Sequence, residues 1–218
     1  HDLPGYEMQK QKILKNTLAF LDGRDANNIL LYGDKGTGKS STVKAVANEY
    51  ADRGLKIIEM SPRHIACFPR IFADTLRSPF RFIVFLDDLS FSREDDNFAA
   101  LKAFIEGGLE KRPDNVLIYA TSNRRHLMKE SWSDRDDKQD DMHESETMQE
   151  RMSLVDRFGL MVSYFSPAQA EYLDIVRTLA QEYGVNVTEE ELEKGAINWE
   201  LKHGGFSGRS ARQFIEFL

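Results

Sequence analysis

The sequence is poor in cysteine and has no long apolar run. Its one cysteine, Cys67, cannot form a disulfide within the chain, so a reducing, cytoplasmic compartment is the simpler assumption and a buried, apolar role is expected for this thiol. No apolar segment approaches the ~20 residues of a membrane-spanning helix, so we expect a soluble protein without membrane contact. Because the chain begins at His1 and ends inside a predicted helix, we also expect it to be part of a longer protein.

Positive charge is scarce as well. The 218 residues include 29 Lys and Arg against 36 Asp and Glu, which gives a formal net charge of -7 at pH 7. Proteins that bind nucleic acid without sequence preference need a clustered basic surface, so this composition does not support nucleic-acid binding, although an acidic total leaves room for a local basic patch.

The acidic excess is concentrated in one segment. Between Glu130 and Glu150 there are nine acidic residues, against the two cations Arg135 and Lys138. Such a segment buries little apolar surface, and we expect a solvated loop. The segment also contains His143, but its spacing from the carboxylates matches no metal-ligand pattern, so the solvated loop is the preferred interpretation.

Short apolar runs alternate with helix-length segments through the first two thirds of the chain. The strand-like runs are 28–32, 55–60, 81–86, 116–120 and 160–165, and the predicted helices are 6–21, 39–52, 62–76, 94–111 and 146–156. Strands that are apolar on both faces and alternate with helices indicate a parallel sheet covered on both sides. We therefore predict an α/β fold with three layers and a five-stranded parallel sheet.

The pattern changes at Pro167. From there the sequence predicts three helices, 168–183, 188–203 and 207–218, with no strand between them. We expect residues 1–166 to form an α/β nucleotide-binding core and residues 167–218 to form a small helical lid.

The strongest motif follows the first predicted strand and matches G-x-x-x-x-G-K-[ST] at every fixed position. Glycines allow the backbone to curve with its amide groups directed at phosphates, Lys39 supplies a positive charge, and the Ser40 hydroxyl suits Mg²⁺. We predict an ATP or ADP site with Mg²⁺ at Gly33, Asp34, Lys35, Gly36, Thr37, Gly38, Lys39, Ser40 and Ser41. A chance glycine-rich turn is the alternative, which the flanking strand and helix disfavour.

A second motif is the apolar run 82–86 followed by two aspartates, which indicates a Walker B strand. Asp87 is expected to hold Mg²⁺ together with Ser40, and Asp88 to orient and polarise the attacking water. A strand cap or a turn has the same local sequence, so the position after the P-loop is what favours the functional interpretation.

Three further segments follow in the order found in the AAA+ superfamily, which the chain resembles over essentially its whole length. The Thr-Ser-Asn segment ending at Asn123 resembles sensor 1, and the Ser-Leu-Val-Asp-Arg-Phe-Gly segment resembles the box that carries an arginine finger at Arg157. The Gly-Arg-Ser-Ala-Arg-Gln segment resembles sensor 2, with Arg212 preferred and Arg209 as its rival. The opening residues 3–7 resemble the segment that lies against adenine.

Each of these residues also has an ordinary structural interpretation. Asn123 can cap the helix that follows its strand, Arg157 can be a surface cation, and one of the two arginines near the C terminus can shield the other. The order of the motifs is what favours the functional roles.

Within the superfamily, an Asp-Asp ending of Walker B resembles the replication-initiator and helicase-loader branch. It also resembles a poorly characterised bacterial family of predicted ATP-binding proteins, known as a domain of unknown function. Between Met60 and Arg81 there is space for little more than one helix, interrupted near Pro69, and none for the extra helix pair of initiators.

The resemblance implies an ATPase that acts as a nucleotide-dependent homo-oligomer, a ring or a filament, on an unidentified macromolecular client. The alternative is a slowly hydrolysing switch that recruits another macromolecule, since Asp88 is shorter than the usual glutamate. A small-molecule kinase is less favoured, because the arginines fall at AAA+ positions.

Overall fold

The computed structural model describes residues 4–90, 96–106, 112–123 and 154–218. The strands are β1 (Ile29–Gly33), β2 (Leu55–Met60), β3 (Arg81–Leu86), β4 (Val116–Ser122) and β5 (Leu160–Tyr164). The α-helices are α1 (Glu7–Leu21), α2 (Lys39–Glu49), α3 (Phe68–Leu76), α4 (Asp96–Glu106), α5 (Gln169–Tyr183), α6 (Glu189–His203) and α7 (Gly208–Phe217). Short 3₁₀ helices lie at Ala51–Arg53 and Pro62–Cys67.

The five strands form one parallel sheet in the order β2-β3-β4-β1-β5. The strands have apolar side chains on both faces of the sheet, and these form two separate buried clusters. One cluster includes Leu30, Val84 and Ile118, and the other includes Leu31 and Phe85. The predicted α/β class and five-stranded parallel sheet are confirmed.

The connection from β2 to β3 contains two successive helices of different type. A 3₁₀ helix ends at Cys67, and α3 begins at Phe68 with Pro69 in its first turn, where the missing amide proton costs nothing. The predicted interruption near Pro69 is thus confirmed. Cys67 itself is exposed, so its expected burial was wrong. Ile65 and Phe68 occupy the core-facing positions of this segment, which leaves Cys67 facing solvent.

The three C-terminal helices are packed around their own apolar cluster, which includes Tyr172, Leu179, Ala196 and Phe214. Side-chain caps begin two of them: the Thr188 hydroxyl accepts from the Glu191 amide before α6, and Ser207 does the same for Ser210 before α7. The three helices lie where the sequence predicts them. The domain boundary at residue 166 stays a prediction.

Some predictions fall outside the described residues. These are the acidic loop at 130–150 with His143, most of the helix at 146–156, and the ends of the helix at 94–111. Within the part of the chain that the structure describes, no helix combines the length and the apolar character needed to cross a bilayer.

The centre of the sheet contains a fully buried phenol on β4. The Thr17 hydroxyl donates to Ile13 O at 2.8 Å, so in its 2.7 Å contact with Tyr119 Oη the tyrosine is the donor. Asn16 Nδ2 donates to the same phenol oxygen at 3.3 Å. Burial raises the pKa of Tyr119 to about 12, and its hydrogen bonds with Thr17 and Asn16 only partly oppose that shift.

Tyr119 is expected to make the stability of the protein depend on pH in the alkaline range. Because the pKa of Tyr119 is raised in the folded state, its contribution to the free energy of unfolding is complete below pH ~10. This contribution, on the order of 2 kcal/mol, is lost as the pH rises through ~12. Tyr119→Phe should cost about 1 kcal/mol at pH 7 and reduce the alkaline loss of stability. Urea unfolding across this range tests this, with the half-exposed Tyr183→Phe as control. An unchanged pH profile in Tyr119→Phe would contradict the prediction.

Candidate functional site

The P-loop begins at the end of β1, where Gly33 pairs with Tyr164 of β5. Gly33 has φ 133°, and a Cβ atom there would lie 2.0 Å from Tyr164 O. The next amide, that of Asp34, donates to the same carbonyl at 2.8 Å. Gly36 and Gly38 also have positive φ, at 79° and 92°, so the loop needs glycine at all three positions.

Lys39 lies in the first turn of α2 and is 6% exposed. Its Nζ donates to Gly33 O at 3.0 Å, to Asp34 O at 2.6 Å and to Asn123 Oδ1 at 3.2 Å. Burial lowers the pKa of Lys39, and the nearby carboxylates of Asp34, Asp88 and Asp87 oppose that shift. These contacts hold the ammonium group beside the concave side of the loop.

Ser40 and Asp87 meet across the gap between α2 and β3. Ser40 Oγ donates to Asp87 Oδ1 at 2.6 Å. The same carboxylate oxygen accepts from Thr121 Oγ1 at 2.5 Å. A hydroxyl and a carboxylate are hard oxygen ligands, and Mg²⁺ sites in nucleotide-binding proteins use few protein ligands besides substrate phosphates.

Asp88 adopts an unusual backbone conformation, with φ 55°. Its carboxylate accepts from Asn123 Nδ2 at 2.6 Å, and its amide donates to Thr121 Oγ1 at 2.9 Å. Non-glycine residues in this region cost energy and often lie at functional sites. Asp88 and Asn123, predicted from separate motifs, are therefore in direct contact.

Sequence reasoning missed Thr121 as a site residue. The strand register pairs Leu86 with Ala120, so the next residues, Asp87 and Thr121, come side by side. The available signal was that the polar Thr121 directly follows Ala120, the residue that pairs with Leu86. Using this signal requires knowing that β3 and β4 are neighbours.

Helix α7 covers the loop from the C-terminal region. The Arg209 amide donates to Gly36 O at 3.1 Å. A Cβ at Gly36 would lie 3.0 Å from Ser207 Oγ, so the two segments are in close contact. The side chains of Arg209 and Arg212 both line the cavity, and the positive charge of Arg209 adds to the lowering of the Lys39 pKa. The choice between them as sensor 2 therefore stays open.

One cavity of about 450 Å³ brings most of the predicted residues together. The predicted residues that line it are Lys35, Gly36, Thr37, Gly38, Lys39, Ser40, Ser41, Asp87, Asp88, Asn123 and Arg212. Pro4, Tyr6, Ile175 and Leu179 form its apolar end. Of the predicted adenine segment, Leu3 lies outside the described residues.

Gly33 and Asp34 are not among the described residues that line the cavity. Gly33 contributes its carbonyl to Lys39 instead. The Asp34 carboxylate accepts from the Ser166 amide at 2.7 Å, which turns it toward the segment leading to α5. Their predicted role in nucleotide binding stays a prediction, and the Asp34 side chain is engaged elsewhere.

Arg157 is also not among the described residues that line the cavity. It is exposed, between the buried Leu154 and Phe158, just before β5. Its predicted role as a finger stays a prediction.

The cavity suits a magnesium nucleotide in its dimensions and its donors. A loop with three glycines at positive φ leaves its concave side free of side chains, where phosphate oxygens can approach the amides. Ser40 and Asp87 stand together at one side of the loop for Mg²⁺, and the apolar end offers a surface for a base. Among the described residues no three His, Cys, Asp or Glu side chains cluster as a metal site.

Comparison with known proteins identifies both a family and a fold. The whole chain, residues 1–218, matches the family model described as "Protein of unknown function (DUF815)". No curated protein sequence matches it.

Solved structures with similar folds are AAA+ P-loop ATPases. The Aeropyrum pernix ORC1 protein in complex with DNA has a TM-score of 0.68 at 16% identity, covering 97% of this chain and 58% of that one. A point variant of Thermotoga maritima RuvB has a TM-score of 0.62 at 17% identity, covering 98% of this chain and 61% of that one. The FIGL-1 AAA domain in complex with ADP has a TM-score of 0.61 at 18% identity, covering 97% of this chain and 69% of that one. The chain thus has the AAA+ fold, and it spans about three fifths of the RuvB and ORC1 chains.

Replacing Gly33 is expected to disrupt the start of the P-loop. In Gly33→Ala the methyl group would collide with the Tyr164 carbonyl, so we expect a loss of more than about 3 kcal/mol in the free energy of unfolding. Gly204→Ala is the matched control, since Gly204 has φ 91° but nothing lies within 4 Å of the place its new methyl group would take, and it should cost only about 1–2 kcal/mol. Urea unfolding of both variants measures the difference, and equal losses would contradict the steric explanation.

Proposed function

We propose a function for this chain, which belongs to the DUF815 family and has the AAA+ fold: it binds ATP with Mg²⁺ and hydrolyses it. The observation that carries the proposal is a continuous set of hydrogen bonds at one edge of the sheet. It joins the P-loop lysine and serine to two aspartates and an asparagine, through contacts of 2.5–3.2 Å. These contacts join residues from separate motifs to which we assign sensor, metal-binding and water-activating roles.

The P-loop and the start of α2 would hold the triphosphate. Backbone amides of the loop and the N terminus of α2 present partial positive charge, and Lys39 adds a full one. Ser40 and Asp87 would hold Mg²⁺, which supplies charge neutralisation on the phosphate oxygens. The Lys39 ammonium group donates to two backbone carbonyls and one side-chain amide, all of them neutral acceptors, so its charge is available to an incoming phosphate.

Asp88 and Asn123 are proposed to control the attacking water. Asp88 is exposed at the cavity wall, and its backbone has a φ of 55°. Asn123 donates to Asp88 and accepts from Lys39, so these two contacts together set the orientation of its side-chain amide. A bound γ-phosphate would compete for the Lys39 and Asn123 contacts, which links nucleotide occupancy to the position of the base.

We further propose that the active form is a homo-oligomer, in which Arg157 of one copy completes the site of the next. Its exposure just before β5, away from the described cavity lining of its own chain, supports this arrangement. The client is a macromolecule that remains to be identified. One similar structure is a Holliday junction branch migration motor and another is in complex with DNA, but the net charge of -7 does not favour nucleic acid here.

ATP hydrolysis by mixed subunits tests the proposed oligomer. Lys39→Ala should abolish ATP binding, and Arg157→Ala should lower kcat by about 10³-fold or more with little effect on ATP affinity. Mixing the two inactive variants should restore part of the activity, because some interfaces then combine an intact P-loop with an intact arginine. Full activity in Arg157→Ala, or no recovery on mixing, would contradict the shared site.

A second candidate is an ATP-dependent switch with negligible turnover. The Asp88 carboxylate is already engaged by Asn123 at 2.6 Å, and aspartate is shorter than glutamate by one methylene, which favours slow water activation. In this case ATP binding would recruit another macromolecule without rapid hydrolysis.

Parallel measurements of ATP affinity and turnover separate the two candidates. For an ATPase, Asp88→Asn should lower kcat by at least about 100-fold with ATP affinity nearly unchanged, because the base acts only in the transition state. For a switch, the wild-type turnover is already near the background and the substitution changes neither quantity. Isothermal titration calorimetry measures the ATP affinity, and a phosphate-release assay measures the turnover.

A further inference from the structure

Thr121, near the end of β4, contacts the Walker B turn in three places. Its hydroxyl lies 2.5 Å from Asp87 Oδ1 and 2.9 Å from the Asp88 amide nitrogen. Its backbone oxygen accepts from the Leu89 amide at 2.7 Å. The side chain is 2% exposed and borders the cavity.

The direction of each hydrogen bond is fixed by the chemistry of the groups. The Asp88 amide can only donate, so the Thr121 oxygen accepts from it. The single hydroxyl proton is then available for the carboxylate of Asp87. One side chain therefore holds the carboxylate of one aspartate and the backbone of the other.

The conformation of Asp88 makes this contact important. A φ of 55° is unfavourable for a residue with a Cβ atom, and such a conformation persists only when surrounding contacts impose it. The Thr121 hydroxyl and carbonyl bond to the two successive amides of Asp88 and Leu89 and so hold the turn. Without the hydroxyl, the Asp88 amide loses its acceptor and the Asp87 carboxylate loses a donor.

We propose that Thr121 is a positioning residue, whose hydroxyl sets the geometry of both Asp87 and Asp88 for magnesium binding and water activation. This inference rests on the proposed ATPase or ATP-switch function. Because Thr121 acts through the two aspartates and not through the P-loop, its loss should affect magnesium-dependent steps and leave the magnesium-free affinity for nucleotide nearly unchanged.

The test compares three variants of the full chain. Thr121→Val removes the hydroxyl and keeps the shape, Thr121→Ser keeps the hydroxyl, and Thr178→Val removes a threonine hydroxyl that bonds within α5 to Asp174 O. For each variant, kcat, KM and the magnesium concentration for half-maximal activity are measured. ATP affinity is measured by calorimetry with Mg²⁺ and with EDTA, and thermal unfolding controls for folding.

Thr121→Val is expected to lower kcat by about 10- to 100-fold and to raise the half-saturating magnesium concentration, because it loses a hydrogen bond to a charged group. The EDTA affinity should change less than about threefold, and Thr121→Ser should recover most of the wild-type values. Thr178→Val should resemble wild type. If the wild type binds Mg-ATP without turnover, the quantity to compare is the increase in ATP affinity that Mg²⁺ produces. This increase should be smaller in Thr121→Val than in Thr121→Ser, Thr178→Val and the wild type.

Two results would overturn the inference while leaving the proposed function intact. One is a Thr121→Val variant with wild-type kcat and magnesium dependence. The other is equal impairment of Thr121→Val and Thr121→Ser, which would show that keeping the hydroxyl does not preserve the function. A wild type that fails to bind ATP with Mg²⁺ instead overturns the proposed function, and the inference with it.

Discussion

The position of β1 between β4 and β5 is the constraint on which the rest of the site depends. Hydrogen bonds on both edges leave this strand no freedom to shift, so the chain must leave it at Gly33 beneath the Tyr164 carbonyl. Any Cβ atom at this position would collide with that carbonyl, which explains why glycine is needed at the first residue of the loop. The loop then reaches α2 within a few residues, and this short path places Lys39 against the carbonyls of Gly33 and Asp34.

The polar groups of the site stabilise one another in a small volume. Lys39, Asp88 and Asn123 form one chain of contacts, and Ser40, Asp87 and Thr121 form another that joins it at the Asp88 amide. A partly buried cation and two carboxylates would be costly alone, but each has hydrogen-bonding partners here. In the proposed ATPase, this mutual hydrogen bonding would reduce the reorganisation that the reaction requires.

The loop is also connected to the C-terminal helices at two points. The Asp34 carboxylate bonds to the Ser166 amide, just before α5, and Gly36 O accepts from the Arg209 amide at the start of α7. In the proposed function, a change in the loop on nucleotide binding would reach the first and the last of these helices through these two contacts. Hydrogen bonds of this kind contribute on the order of 1 kcal/mol each, which is enough to bias an orientation and too little to lock it.

The sequence by itself determined the strand and helix order, because apolar runs and helix-length segments are local properties, and it identified Lys39, Asp87 and Asn123 from motifs. Only the tertiary structure decided which strands are neighbours. The order β2-β3-β4-β1-β5 places the ends of β3 and β4 side by side, and Thr121 became visible as a partner of both aspartates for that reason. The exposure of Cys67 and the engagement of the Asp34 side chain by Ser166 likewise follow from contacts between distant segments, which no local pattern encodes.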